Sequence, residues 1–517
     1  METDGRYCLS QHARAWLLGL LAGLSGMAYY VLVSMSLNPK LNLTYDVRGA
    51  RYGGPLTWPA RWFHLASMSS TSRASLFIFL LVALTIMWFA AIYLVRRDNR
   101  RTLAIIIAIG FGLFALLFIF APVFQTRDVF SYVFFGRAMT AYHRNPFLLI
   151  PHARRHDIIY PLLGWKYNAS VYGPVFNYLA WPVTKIAGNN IVANVLGFKL
   201  MAFVAYAISL PLVYLLAKRI SPGKENMALV ICAWSPLLVL NFLGGAHNDA
   251  VMVALVLAGY LLYRKGHLLP GIVVVLLAAL VKIEAVLVLA PLLVLYVRDK
   301  QGVPLKRLAA AGATCIGGTV LLYLPFLQSL QIFKTTGHMS KMYSSASVPK
   351  VFSWEYQKVL THGGMMGSRA AQVAGSRIHL AFLLITAVVG IALLLKVKDF
   401  RSMAASSAGL VLIWFLTSTY VLPWYLALGL ILAAIAGWNL TTALLAGAAA
   451  VFTFYRIPAS PSSVSSPGGP SIYLSIPFLL LLIGWLLIAG AMKLNAVRLS
   501  REEALGVERI EEVIHEE

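Results

Sequence analysis

The chemistry open to this chain begins with its acids, because it has only 19 Asp and Glu in 517 residues. Glu2 and Asp4 open the sequence, seven glutamates crowd 501–517, and Asp98, Glu225, Asp299 and Asp399 sit among short clusters of Lys and Arg. Asp46, Asp128, Asp157, Asp249, Glu284 and Glu355 remain, and a reaction needing a carboxylate base on the other face must draw on them. Asp128 is the best placed. It follows an apolar run directly, in Gln125-Thr-Arg-Asp-Val-Phe-Ser-Tyr132, ahead of Gly136, Arg137 and Asn145-Pro-Phe147. Arg127, Arg137 and Arg144 bring positive charge near it. A carboxylate beside arginines stays ionised, as a base must, and the guanidinium fork suits phosphate. The alternative is an interfacial Asp–Arg pair that ends a helix.

His247-Asn248-Asp249 lies between two apolar runs. It reads either as a polar cluster lining a site or as a helix cap. Lys282 and Glu284 separate two short apolar runs, so they read as the tip of a helical hairpin set into the membrane. Lys282 is then a contact for a lipid phosphate, or else half of an ion pair or a lysine snorkelling to the interface. Tyr172-Gly-Pro174 is a turn signal. Trp424 and Tyr425, in Leu422-Pro-Trp-Tyr425, are either an aromatic belt or a platform for a sugar or lipid. Arg456 is a further candidate for phosphate. The sequence has no HExxH, no Walker pattern and no close acidic pair of the DxD kind, so no metal ligands are assigned. Cys8, Cys232 and Cys315 are too scattered for a disulfide framework.

The elements that must hold these residues follow from composition. The chain is 59% hydrophobic and 12% charged, with a mean hydropathy of +0.75. Soluble domains carry about 25% charged residues. That excludes an ordinary cytosolic protein, a disordered chain and a nucleic-acid binder, despite the net charge of +24. A spanning helix needs about 20 apolar residues, and about 14 candidate runs occur between 15–36 and 472–492. The expected fold is an all-α polytopic transmembrane bundle of about 14 spans with long extracytoplasmic loops. Segment 174–188, interrupted by Pro182 and Lys185, reads as a half-buried or re-entrant piece. Arg96, Arg97, Arg100 and Arg101, with Lys218, Arg219, Arg264, Lys265, Arg298, Lys396, Lys398 and Arg401, fall on one side if both termini are cytoplasmic. Total Lys and Arg are nearly equal on the two sides, so the scheme rests on density in short loops. Residues 1–438 then form a catalytic module with outer loops near 37–73, 124–173 and 328–378. Residues 439–494 add C-terminal helices, and 495–517 form an acidic cytosolic tail. Long, basic, aromatic outer loops suit an enzyme at the membrane surface. The rival reading is a transporter or lipid flippase, for which Lys199, Lys282 and Glu284 are the only ionisable groups at depth.

Asp128-Val-Phe-Ser-Tyr132, Gly136, Asn145-Pro-Phe147, Tyr172-Gly-Pro174, His247-Asn-Asp249, Lys282 and Pro423-Trp-Tyr425 occur in that order. The ordered set resembles the polytopic lipid-linked glycosyltransferases of the GT-C class, and within it the polyprenol-phosphate-mannose-dependent α-1,6-mannosyltransferases. It covers about 120–430. Asn-Pro-Phe stands where the family pattern has Asn-Pro-Tyr. The resemblance implies a catalytic Asp in the first large outer loop, a position that Asp128 matches. It also implies a polyprenyl-phosphate-linked sugar donor, a glycan or glycolipid acceptor, and no cofactor. Arg127, Tyr132, Arg137, Asn145, Tyr172, His247, Asn248, Asp249, Lys282, Glu284, Trp424, Tyr425 and Arg456 are the expected substrate contacts. The active site is expected outside the cytoplasm, in a multi-pass cell-membrane protein.

Overall fold

Apolar runs of this length must pair every backbone N–H and C=O internally in hydrocarbon, and a helix does so within one segment. The computed structural model describes residues 10–37, 44–45, 54–65, 67–298, 304–328, 342–344 and 346–454, and they are helical apart from loops and one short pairing. In chain order the helices are α1 (Gln11–Ser36), α2 (Trp58–Trp62), α3 (Ser70–Val95), α4 (Arg101–Ile119), α5 (Asp128–Thr140) and α6 (Pro174–Ala187). Then come α7 (Ile191–Ile220), α8 (Glu225–Ala233), α9 (Pro236–Gly244), α10 (Asp249–Arg264), α11 (Leu268–Ala279) and α12 (Val286–Arg298). The last are α13 (Pro304–Tyr323), α14 (Val348–His362), α15 (Gly367–Leu395), α16 (Phe400–Thr417), α17 (Leu426–Ala436) and α18 (Leu440–Phe452). Several starts carry the expected caps. The side chains of Ser10, Ser69, Asn190, Asp399 and Asn439 each accept a first-turn N–H.

Every predicted run within the described residues lies on a helix, and the fold is all-α and polytopic in composition. Among the described residues seven helices are long and apolar enough to cross a membrane, and an eighth if α8 and α9, bent by 43°, form one span. The other predicted runs within the described residues form shorter apolar helices: α10 has 16 residues, α12 and α18 have 13, α11 has 12 and α17 has 11. At 1.5 Å per residue these reach only about 17–24 Å, against roughly 30 Å of hydrocarbon. The run near 472–492, the acidic tail, Asp46 and Arg456 lie outside the described residues.

Two segments matter for the site. The predicted loop 124–173 contains α5, whose residues Asp128 to Ala138 are all buried. Val-Phe-Ser-Tyr-Val-Phe-Phe is apolar nearly all round, so it shows no amphipathic period, and it is too short to register as a span. Segment 174–188 is one helix, α6, with Pro182 inside it, and its buried face is Pro174, Phe176, Asn177, Ala180 and Thr184. α6 lies so close to α5 that a Cβ on Gly136 would overlap the Thr184 side chain and sit 2.9 Å from the Ala180 carbonyl. Thr44–Tyr45 (β1) pairs antiparallel with Val123–Phe124 (β2), tying the 37–73 region to the chain just before α5. Lys199, the buried lysine of α7, donates to the Phe118 and Ala121 carbonyls, both at 2.6 Å, and so closes the C-terminus of α4. That fixes the direction in which the chain leaves α4 towards Asp128.

Candidate active site

Three helical starts converge at one end of the bundle, and each carries an acid in its first turn. Asp128 begins α5, Asp249 begins α10, and Glu284 lies in the 3₁₀ turn Ile283–Ala285 that leads into α12. Carboxylates at these positions face the positive end of each helix dipole. The approaches to the first two are sharply bent. Gln125 has φ +62° and Ala246 has φ +56°, conformations that cost a side-chain-bearing residue about 1–3 kcal/mol. A π-helical stretch, Val239–Gly244, immediately precedes the second bend, as is frequent at functional positions. The Thr126 hydroxyl oxygen accepts the Asp128 N–H at 3.1 Å and sets the start of α5. The turn Tyr172-Gly173-Pro174 docks on the break after α11, where the Gly173 and Val175 N–H groups donate to the Val281 and Leu280 carbonyls at 3.0 Å. A Cβ on Gly173 would overlap the Leu280 carbonyl.

These segments enclose a cavity of about 140 Å³. Asp128 reaches it from one wall, and Lys282, Glu284, Trp424 and Tyr425 from the other. The Trp165 indole N–H donates to Asp128 Oδ1 at 3.4 Å, and His247 Nδ1 lies 3.7 Å from Asp128 Oδ2. His247 stacks on Trp424 with ring centres 3.7 Å apart. The Tyr132 hydroxyl donates to Asn248 Oδ1 at 3.2 Å and lies 3.5 Å from His247 Nδ1. Lys282 Nζ donates to both Asp249 oxygens, at 2.9 and 3.0 Å, and lies 3.4 Å from Glu284. It also sits 4.4 Å above the centre of the Tyr425 ring. Ser131 Oγ and Glu284 Oε2 belong to cavity-lining residues, are buried, and have no hydrogen-bond partner among the described residues. Buried polar atoms of that kind are costly unless a ligand satisfies them. A polyhydroxyl ligand, which both donates and accepts, has the right chemistry.

Of the predicted residues, the fold brings together Asp128, Tyr132, Tyr172, His247, Asn248, Asp249, Lys282, Glu284, Trp424 and Tyr425. It does not bring in the predicted arginines. Arg137 is buried on the far side of α5, where Nε contacts Asp157 at 3.0 Å and Nη1 donates to the Gly188 carbonyl and Asn189. Arg127 precedes Asp128 and is exposed. Asn145 is structural: its amide donates to the Phe326 carbonyl at 2.8 Å and its Oδ1 accepts the Phe147 N–H at 3.0 Å. Asp157 and Glu355 also lie elsewhere, the first with Arg137 and the second with Lys358. Among the described residues the cavity wall therefore carries two carboxylates, Asp128 and Glu284, and the Lys282 ammonium, with Asp249 behind it holding Lys282. Trp165, Ser131 and Tyr420 line it unforeseen. Ser131 was legible, being three residues past Asp128 on the same helical face. Trp165 and Tyr420 come from irregular segments with no periodic signal.

Fold and site together define a polytopic helical membrane protein with a carboxylate-lined cavity at one end of its bundle. Residues 48–298 match the sequence profile of the alpha-(1->6)-mannopyranosyltransferase family, N-terminal domain. That stretch holds Asp128, Tyr172, His247, Asp249 and Lys282, but not Trp424 or Tyr425. Alpha-(1->6)-mannopyranosyltransferase A of Mycobacterium tuberculosis is 29% identical over 248 residues, 46% of each chain. The protein of the same name from Corynebacterium glutamicum is 26% identical over 181 residues, 33% of this chain and 35% of that one. Alpha-(1->6)-mannopyranosyltransferase B of the same organism is 27% identical over 179 residues, 33% and 29%. This chain thus spans less than half the length of these curated relatives. The resemblance carried by its ordered motifs is borne out: the chain is similar to mannosyltransferases of this class.

Proposed function

We propose that this protein is a GT-C-type glycosyltransferase that moves a mannosyl group from a polyprenyl-phosphate-linked donor to a mannoside acceptor on the extracytoplasmic face. The observation that carries the reading is Asp128: a carboxylate at a helix start, aimed into a cavity between Trp165 and His247, inside the family-matched segment. The reaction is a single inverting displacement. An Asp128 oxygen takes the proton of the acceptor hydroxyl as the hydroxyl oxygen bonds to the anomeric carbon. The bond from that carbon to the phosphate oxygen breaks, and the lipid phosphate leaves with the electron pair. An ammonium has three N–H donors. Lys282 directs two of them at the Asp249 oxygens, and the third, now facing Glu284 at 3.4 Å, turns to a phosphate oxygen and stabilises the departing charge. The acid-rich wall favours the positive charge that develops on the sugar ring. Trp424, stacked on His247, flanks the sugar or the lipid.

Asp128→Asn tests the assignment. Purified protein in liposomes is given radiolabelled polyprenyl-phosphate mannose and a short α-mannoside. General-base help is worth about 10²–10⁴-fold, so the variant should lose transfer by that order while unfolding at the wild-type temperature. Equal product from both proteins moves the base elsewhere, with Asp249 the next to test. Translocation of the lipid-linked sugar without transfer would favour the flippase reading.

A further inference from the structure

A second, larger cavity of about 650 Å³ opens at the opposite end of the bundle from Asp128. The two sites lie at the two ends of α10: Asp249 is its first residue and Arg264 its last. At 16 residues the helix separates them by about 24 Å. The C-terminal ends of α7, α10 and α12 supply Arg219, Arg264 and Arg298 to this cavity, the turn between α15 and α16 supplies Lys398 and Asp399, and the first turn of α16 supplies Arg401. Between the charges lies an apolar floor that includes Ile220, Leu295 and Phe400.

Five cations thus face one carboxylate, and that carboxylate is already used. The Asp399 side chain accepts the Ser402 N–H and caps α16. Cations at helix C-termini ordinarily satisfy the terminal carbonyls. Arg298 does so, donating to the Val397 and Leu395 carbonyls at 2.7 and 3.2 Å. The side chains of Arg219, Arg264 and Lys398 do not: their charged heads have no hydrogen-bond or ion-pair partner among the described residues. Like charges around one concavity repel unless an anion lies between them. The apolar floor beside them selects an anion that carries hydrocarbon, at the level where helices leave the bilayer. We propose that this cavity binds the phosphate headgroup of an anionic phospholipid, with its acyl chains on the Ile220–Leu295–Phe400 floor. The proposal is independent of the transferase reading.

The test uses the full chain in detergent with short-chain phosphatidylglycerol as the probe, followed by native mass spectrometry and thermal unfolding. Arg219→Gln/Arg264→Gln is compared with Arg96→Gln/Arg97→Gln, a control in an exposed basic turn outside the cavity. Two lost cations should weaken phosphatidylglycerol binding roughly tenfold to thirtyfold. The control should bind as wild type, and phosphatidylcholine should not bind at the site. Equal phosphatidylglycerol binding by both double variants overturns the proposal. So does saturation by inorganic phosphate at the same concentration, which would assign the cavity to a soluble anion.

Discussion

Lys282 is held on two sides by carboxylates, 2.9 Å from Asp249 and 3.4 Å from Glu284, with almost no exposure. A buried ion pair of this kind adds little net stability when intact, but breaking it strands a charge and costs about 3–5 kcal/mol. Lys282→Met should therefore lower the unfolding free energy by about that amount and also abolish transfer. Lys282→Met combined with Asp249→Asn should be less destabilised than the sum of the single changes. Additive losses in thermal unfolding would show that the two groups do not act as a pair. Trp165 makes a weaker statement. Its 3.4 Å bond to Asp128 orients a carboxylate without touching its charge. Trp165→Phe should slow transfer by about tenfold or less, the value of one neutral hydrogen bond, with the pH profile unchanged.

At the level of elements, the site depends on how tightly the turn before α6 sits on the break after α11. Gly173 permits that approach because a Cβ there would meet the Leu280 carbonyl, and the two 3.0 Å backbone bonds of the turn would part. Tyr172 lines the cavity from this turn, and Lys282 follows the break. Gly173→Ala should move both walls. A displacement of about 1 Å at a reacting centre costs up to 10²-fold in rate, so turnover should fall by about that much while the variant still folds. Wild-type turnover would mean that the turn does not position the site. The same logic explains why α5 is buried throughout. It is wedged between α6 and α7, and it presents Asp128 and Ser131 from a rigid helix rather than a loop.

Across the whole molecule the two ends have opposite electrostatic characters. The Asp128 end gathers acids at helix starts, and the other end gathers Lys and Arg at helix ends. At the basic end, Asp98 ties three elements together. It accepts from Arg100 at 2.7 Å and faces Arg14 of α1 at 3.7 Å, while its carbonyl accepts from Asn226 of α8. The Arg100 hydrogen bonds hold the Asp98 carboxyl below its ordinary value. A depressed folded-state pKa contributes stability above the unfolded-state value, and the contribution is lost as pH falls through the folded-state value. An acid titration should therefore show a small loss of stability setting in below about pH 4. Asp98→Asn should remove that step, because Arg100 is solvated and the pair is modest. An unchanged acid limb would show that Asp98 carries none of it.

The sequence by itself determined what is local. Apolar runs became helices because a helix satisfies every backbone group within one segment in hydrocarbon. Sorting the acids by neighbouring charge left six, Asp128, Asp249 and Glu284 among them, and the ordered motifs carried the resemblance to the family. What the tertiary structure decided is which groups meet. Arg137 and Asp128 are nine residues apart on one short helix, yet Arg137 turns away to Asp157. Trp165 and Tyr420 reach the cavity from irregular segments, and Lys199 turns out to close α4 rather than line a path. Each of these outcomes depends on contacts between distant parts of the chain, which leave no periodic mark in a sequence. The lengths of the apolar helices were likewise decided by packing, since a short apolar helix packed against protein and one crossing lipid have the same composition.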